Sequence, residues 1–134
     1  MKNIAFFLIP KSNVAFLYDD FTVRQGIEKM RHYGYTAIPV ITRDGRYVCI
    51  VSEGDFLQYV MSEDYLKDKG YTPLSSILNK EKSPPVKITA TVDELLDHAC
   101  EQNFIPVIDD SDIFVGIVTR KQILKYLYKS TTES

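Results

Sequence analysis

The sequence predicts an α/β (α+β) fold made of two copies of one β-α-β-β-α unit, and two observations carry that prediction. The first is a long internal repeat. IFVGIVTRKQILKYL at residues 113–127 has a twin 67 positions earlier, RYVCIVSEGDFLQYV at residues 46–60. Val48/Val115, Ile50/Ile117, Val51/Val118, Leu57/Leu124 and Tyr59/Tyr126 are identical, Ser52/Thr119 is a conservative exchange, and Pro39-Val40-Ile41 returns as Pro106-Val107-Ile108. The second is the change of period inside each copy. A β-branched strand pattern gives way to helical spacing at one polar residue, Ser52 or Thr119.

The elements follow in order. Residues 2–9 read as a short helix stopped by Pro10, and residues 14–18 (VAFLY) as a strand. Asp19, Asp20 or Thr22 caps a helix over residues 23–33, where Val23, Ile27 and Met30 recur at helical spacing and Gly34 ends the run. Residues 37–42 form a strand, Arg43-Asp44-Gly45-Arg46 a hairpin turn, and residues 47–51 its partner. Ser52 is the N-cap of the next helix, with Asp55 in capping-box position. Residues 61–82 form a polar connector in which Leu74, Ile77 and Leu78 make a short amphipathic turn. The second copy has a strand at 86–88, a helix from Thr91-Val92 through Glu101, a strand at 104–108, an acidic turn at 109–112 and a strand at 114–118. Thr119 then caps a last helix with Ile123, Leu124 and Leu127 on one apolar face. Thr22-Val23 matches Thr91-Val92 at a spacing of 69, so the second copy is two residues shorter between its first helix and the following strand. The tail, residues 130–134, is expected to fray. The domain boundaries are 8–60 for the first repeat, 61–82 for the connector and 83–129 for the second.

Composition narrows the function classes. At 134 residues, each half alone is small for an independent core, so the halves are expected to share one. An apolar fraction of 45% with 25% charged residues is ordinary for a soluble globular protein. A net charge of −2 argues against nucleic acid as a partner. Cys49 and Cys100 stand in apolar runs without a C-x-x-C pair and read as buried small hydrophobes of a reducing compartment. The apolar run at residues 4–9 is too short for a signal peptide, and nothing approaches the ~20 apolar residues of a membrane span. A cytoplasmic, soluble protein without membrane attachment is expected. No G-x-x-x-x-G-K-S/T, G-x-S-x-G or Cys/His nucleophile pair occurs, so the chain does not read as an enzyme. His32 suits a helix C-terminus. His98 has no partner spacing for a metal, and Asp109, Asp110 and Asp112 read as a solvated turn.

The duplicated unit, with GYTAIPV at residues 34–40 and GIVTR at 116–120, resembles the CBS domain. The resemblance covers about residues 8–129 and implies a tandem pair whose sheets pack face to face about a pseudo-twofold axis. Its compact size, shortened second copy and FVGIVTRKQILK run resemble the small bacterial CBS-pair proteins that bind cyclic di-AMP. What this implies is a non-catalytic regulatory module that senses an adenine nucleotide, needs no cofactor or metal, and forms a homodimer. The ligand stays open among cyclic di-AMP, AMP, ADP and ATP. The output would be a separate effector protein, for the cyclic di-AMP relatives a stringent-response synthetase. The alternative is a structural dimerisation module with no ligand.

The residues make chemical sense of such a site. Helices starting at Ser52 and Thr119 offer backbone N–H groups and a positive end to phosphate. Arg120 can give a forked contact to a phosphate. The family resemblance implies that Asp55 accepts from ribose hydroxyls. It also implies that backbone at Thr36-Ala37 and Phe104-Ile105 reads an adenine edge between apolar side chains. One cleft would combine Ser52 and Asp55 with Val86, Phe104, Ile105 and Pro106. The other would combine Thr119, Arg120 and Gln122 with Leu17, Tyr35, Thr36, Ala37, Ile38 and Pro39. Gln122 stands where Asp55 stands and carries no charge, while Arg120-Lys121 replaces Glu53-Gly54. The first cleft therefore reads as ribose-binding and the second as phosphate-binding. The plainer readings stand beside these: Ser52 and Thr119 as N-caps worth ~1 kcal/mol each, Asp55 as an acid placed by the helix dipole, Arg120 as a solvated charge, and the prolines as strand-edge devices.

Overall fold

The repeat found in the sequence reappears as a repeat of strand register. The structure, a computed structural model, describes residues 3–133. In the first copy β2 (Leu17–Tyr18) lies parallel to β3 (Ala37–Ile41), which pairs antiparallel with β4 (Tyr47–Ser52). In the second, β5 (Val86–Lys87) lies parallel to β6 (Phe104–Ile108), which pairs antiparallel with β7 (Phe114–Thr119). Ala37 faces Ser52 as Phe104 faces Thr119, Val40 faces Cys49 as Val107 faces Gly116, and the bulge after Val40 returns after Val107. Shifting either ladder by one residue would turn Ile38 and Val40, or Ile105 and Val107, away from the clusters they pack in, so identical apolar patterns fold to identical registers.

The chain divides into two compact units, one of Ala15–Lys82 and one of Met1–Val14 with Ser83–Ser134. In the first, α1 (Val23–Tyr33) opens on a reciprocal capping box between Thr22 and Gln25 and closes on Gly34 at φ 73°. Its Val23 and Met30 pack with Leu17, Ile38, Val40, Val51, Phe56 and Leu74. In the second, α4 (Val92–Ala99) is capped by Thr91, and its Leu95 packs with Val86, Ile105, Val107, Val118 and Ile123. Each unit holds its own cluster of buried apolar side chains. Leu74 from the connector completes one cluster, and Ile4 and Phe7 from the N-terminal segment complete the other.

Several expectations are corrected. The helix expected over residues 2–9 is a single 3-10 turn, Ile4–Phe7, capped by the Asn3 side chain; Lys2 lies outside the described residues. Beyond it, β1 (Ile9–Pro10) pairs antiparallel with β7, giving the order β1-β7-β6-β5. The strand ladder claims the backbone that a helix would have used, and Pro10 is tolerated because β1 is an edge strand. The strand at 14–18 shrinks to β2, and the helix expected to reach Glu101 stops at Ala99. The connector holds a helix not anticipated from its polar composition, α3 (Glu63–Asp68), besides the expected turn at Leu74–Ile77. Its sequence signal was Ser62 followed by two acids in the first turn.

Cys49 is buried, and burial with the nearby Asp55 carboxylate raises its thiol to about 11. Cys100 is exposed, contrary to expectation. It stands one position past the buried Ala99, and one helical step of ~100° turns it outward. The helix α2 (Glu53–Val60) follows β4, and α5 (Arg120–Glu133) follows β7. The α5 helix continues through residues expected to fray; Ser134 lies outside the described residues. On α5, Ile123 is buried, whereas Leu124 and Leu127 are 60% and 40% exposed and do not share its core face. The packed stripe is instead Ile123 with Tyr126, whose ring meets Phe6 and Phe7 edge-on. In the acidic turn, Asp109 accepts from the amides of Ser111 and Ile113 at 2.8 and 3.0 Å, which fixes the turn.

Candidate functional site

In each copy a strand runs into a helix at a hydroxyl residue that closes a hydrogen-bonded ring with the side chain three positions on. Ser52 ends β4 with extended backbone, and its Oγ accepts from the Asp55 amide at 3.3 Å. Asp55 Oδ2 accepts in return from the Ser52 amide at 2.8 Å and the Ser52 hydroxyl at 3.0 Å. At the twin position Thr119 Oγ1 accepts from the Gln122 amide at 3.2 Å. Gln122 Oε1 accepts from the Thr119 amide and hydroxyl at 3.4 and 3.2 Å. The next amide is tied to the preceding strand in both copies: Glu53 N–H donates to the Thr36 carbonyl and Arg120 N–H to the Asn103 carbonyl, each at 2.9 Å.

The plain capping role of Ser52, Asp55 and Thr119 is therefore real, and it engages amides that looked available for phosphate. Of the first turn, these bonds leave over the amides of Gly54 and Lys121. The geometry also separates the two copies by charge. A cation from the connector, Lys82, reaches the first ring: its Nζ donates to Asp55 Oδ2 at 2.7 Å and to Ser52 Oγ at 3.2 Å. Sequence reasoning missed it, because Lys82 and Asp55 stand 27 positions apart. In the second copy, Arg120 Nε donates to the Ala99 carbonyl at 2.8 Å, and the side chain is half-buried. Arg120 is thus neither a freely solvated charge nor a wholly uncommitted one: one edge of the guanidinium is anchored.

Burial pushes the Asp55 carboxyl up, but the Lys82 ammonium and the two Ser52 donors outweigh it and hold the group below the ordinary carboxylate range. A carboxylate with a depressed folded-state pKa contributes stability above its unfolded value, and that contribution is lost as pH falls through the folded value. Asp55→Asn is therefore expected to cost a roughly constant amount from pH 5 to 8, about 1 kcal/mol or less because the pair is partly solvated. The gap to wild type should shrink below pH ~4. Urea unfolding at pH 3, 4, 5 and 7 checks this; a gap that widens toward acid would reverse the assigned sign.

The remaining candidate residues divide by exposure. Tyr35 and Thr36 are exposed, and Ala37 and Phe104 are half-buried. Leu17, Ile38, Pro39, Val86, Ile105 and Pro106 are buried, so their backbone is what a ligand could meet. Tyr35 stacks on Tyr33 at 5.9 Å between ring centroids. It also lines an apolar cleft of about 350 Å³ between the end of α1 (Met30, Arg31, Gly34) and the start of α2 (Glu53, Phe56). No helix among the described residues is long and apolar enough to cross a membrane.

These features define a tandem α/β module with one helix-capping ring at the same strand edge of each repeat. The chain belongs to the CBS domain family: the family model of the CBS domain matches residues 7–62 and 75–129. No curated protein matches the sequence. Among solved structures, CbpB in complex with c-di-AMP is similar at 28% identity and a TM-score of 0.84, over 99% of this chain and 91% of that one. CbpB from Streptococcus agalactiae is similar at 27% identity and a TM-score of 0.84, over 97% and 82% of the two chains. A CBS domain protein from Streptococcus pneumoniae TIGR4 matches at 28% identity and a TM-score of 0.85, over 95% and 87%.

Proposed function

We propose that this chain is a non-catalytic regulatory module that senses an adenine nucleotide, cyclic di-AMP foremost, and passes the signal to a partner protein. The observation that carries the reading is the similarity, over nearly the whole of both chains, to a CbpB crystallised with c-di-AMP. The twin rings at Ser52–Asp55 and Thr119–Gln122 support it. Each sits beside the backbone of the strand proposed to read adenine, Thr36-Ala37 in one unit and Phe104 in the other. Ligand contacts are assigned to Tyr35, Thr36, Ala37, Ser52 and Asp55 in one unit, and to Phe104, Thr119, Arg120 and Gln122 in the other. The mechanism is a population shift: the ligand favours one arrangement of a surface that the partner reads.

Homodimerisation belongs to the same proposal. Leu57, Val60 and Met61 at the end of α2 are 60%, 37% and 77% exposed. Their twins on α5, Leu124, Leu127 and Tyr128, are 60%, 40% and 74% exposed. Leu57 and Met61, with their twins Leu124 and Tyr128, thus present apolar surface at the same positions of both copies, which suits a second chain. A thermal-shift panel with AMP, ADP, ATP, NAD, S-adenosylmethionine and cyclic di-AMP tests the function. A ligand at 100 times its Kd adds ~2.7 kcal/mol, roughly 10 °C for a chain of this size. The cyclic di-AMP shift is expected to be the largest and to fall in Arg120→Ala. No shift with any of the six would replace the sensor with a purely structural dimerisation module.

A further inference from the structure

The Lys82–Asp55 pair does more than cap a helix. The first turn of α2 carries two acids, Glu53 and Asp55, and no base. Left to themselves, these carboxylates would repel a phosphate. Lys82 is what changes that balance, and it arrives from the far end of the 61–82 segment with its ammonium on both Asp55 Oδ2 and Ser52 Oγ. The two side chains of the pair are 37% and 28% exposed, so the pair is open to solvent and the flexible lysine stem can swing without disturbing a packed core. The twin ring has an uncharged glutamine in place of Asp55, and its hydrogen bonds among the described residues are internal.

Two ligand classes meet this pair differently. A neutral nucleoside that seeks Asp55 through its hydroxyls must compete with an ammonium for the same oxygen and offers that ammonium only uncharged acceptors in return. A phosphate-bearing nucleotide gives the released ammonium a new charge-assisted partner. We infer that Lys82 is a specificity-determining residue: it makes the Ser52–Asp55 site select phosphate-bearing adenine nucleotides against neutral adenine nucleosides. This rests on the nucleotide-sensing reading above.

Titration calorimetry of the full chain with adenosine, AMP and cyclic di-AMP tests it, comparing wild type with Lys82→Met and Lys82→Arg. Wild type is expected to bind at least one of the two nucleotides more tightly than adenosine. Lys82→Met should narrow that ratio about tenfold by weakening the nucleotide while leaving adenosine equal or tighter, and Lys82→Arg should restore most of the ratio. The methionine variant should also show a shallower loss of nucleotide affinity with added salt. Equal weakening of adenosine and nucleotide, or an unchanged ratio, would make Lys82 a structural strut and overturn the inference while leaving the sensor intact. Failure of wild type to bind any of the three would sink the sensor reading, and this inference with it.

Discussion

Gly116→Ala is expected to destabilise the protein by about 3 kcal/mol, seen as a fall in melting temperature of roughly 10 °C. A Cβ on Gly116 would stand 2.2 Å from the Ile9 carbonyl oxygen and 2.9 Å from Leu8 Cδ1, and the residue has φ +156°. The obstructing atom is backbone of a paired strand, so relief requires β1 to part from β7 and to loosen the Ile4 and Phe7 packing beneath it. The matching control is Gly54→Ala at the start of α2, where the nearest atom, Ser52 Oγ, is 3.7 Å away. There alanine should change stability by less than ~1 kcal/mol, in the favourable direction. Near-identical melting of Gly116→Ala and wild type would mean that residues 9 and 10 do not pair with β7 in solution.

Truncation of the twin isoleucines is the second large effect. Ile38 and Ile105 are both fully buried, on β3 and β6, and each belongs to the cluster of its own unit. Ile38→Ala and Ile105→Ala should each cost ~2–5 kcal/mol, the transfer energy of the lost atoms plus that of the cavity left behind. Urea unfolding at constant m reads the loss. Because these strands also present Thr36-Ala37 and Phe104, ligand-induced stabilisation should weaken with them. A loss below ~1 kcal/mol in one copy would show that its strand is not packed as its twin is.

The fold and the capping rings of the candidate site were legible because both rest on short-range rules repeated twice. A ladder between strands joined by a tight turn, and a ring between a cap residue and the side chain three positions on, are decided by neighbours in sequence. Hence Ser52–Asp55, Thr119–Gln122, the Thr22 cap and the Gly34 terminus could all be read from the residues. The cluster anchors were legible too, as the apolar rows of each strand and helix.

What the tertiary structure alone decided is where equal residues part company. Cys49 and Gly116 occupy the same rung of their ladders, yet only Gly116 lies against an extra strand, β1, and only there is a side chain forbidden. Tyr59 and Tyr126 are identical twins. The hydroxyl of Tyr59 donates to the Asp68 carboxylate of α3, while the ring of Tyr126 packs on Phe6 and Phe7. Lys82 reaches Asp55 and Arg120 reaches the Ala99 carbonyl for the same reason. Local propensity and hydrophobic period specify elements and their faces, whereas a contact between residues tens of positions apart depends on how the intervening chain is folded. The sequence by itself determined the duplicated unit, its elements and its caps; the tertiary structure decided which strand end, aromatic ring or cation meets each of them.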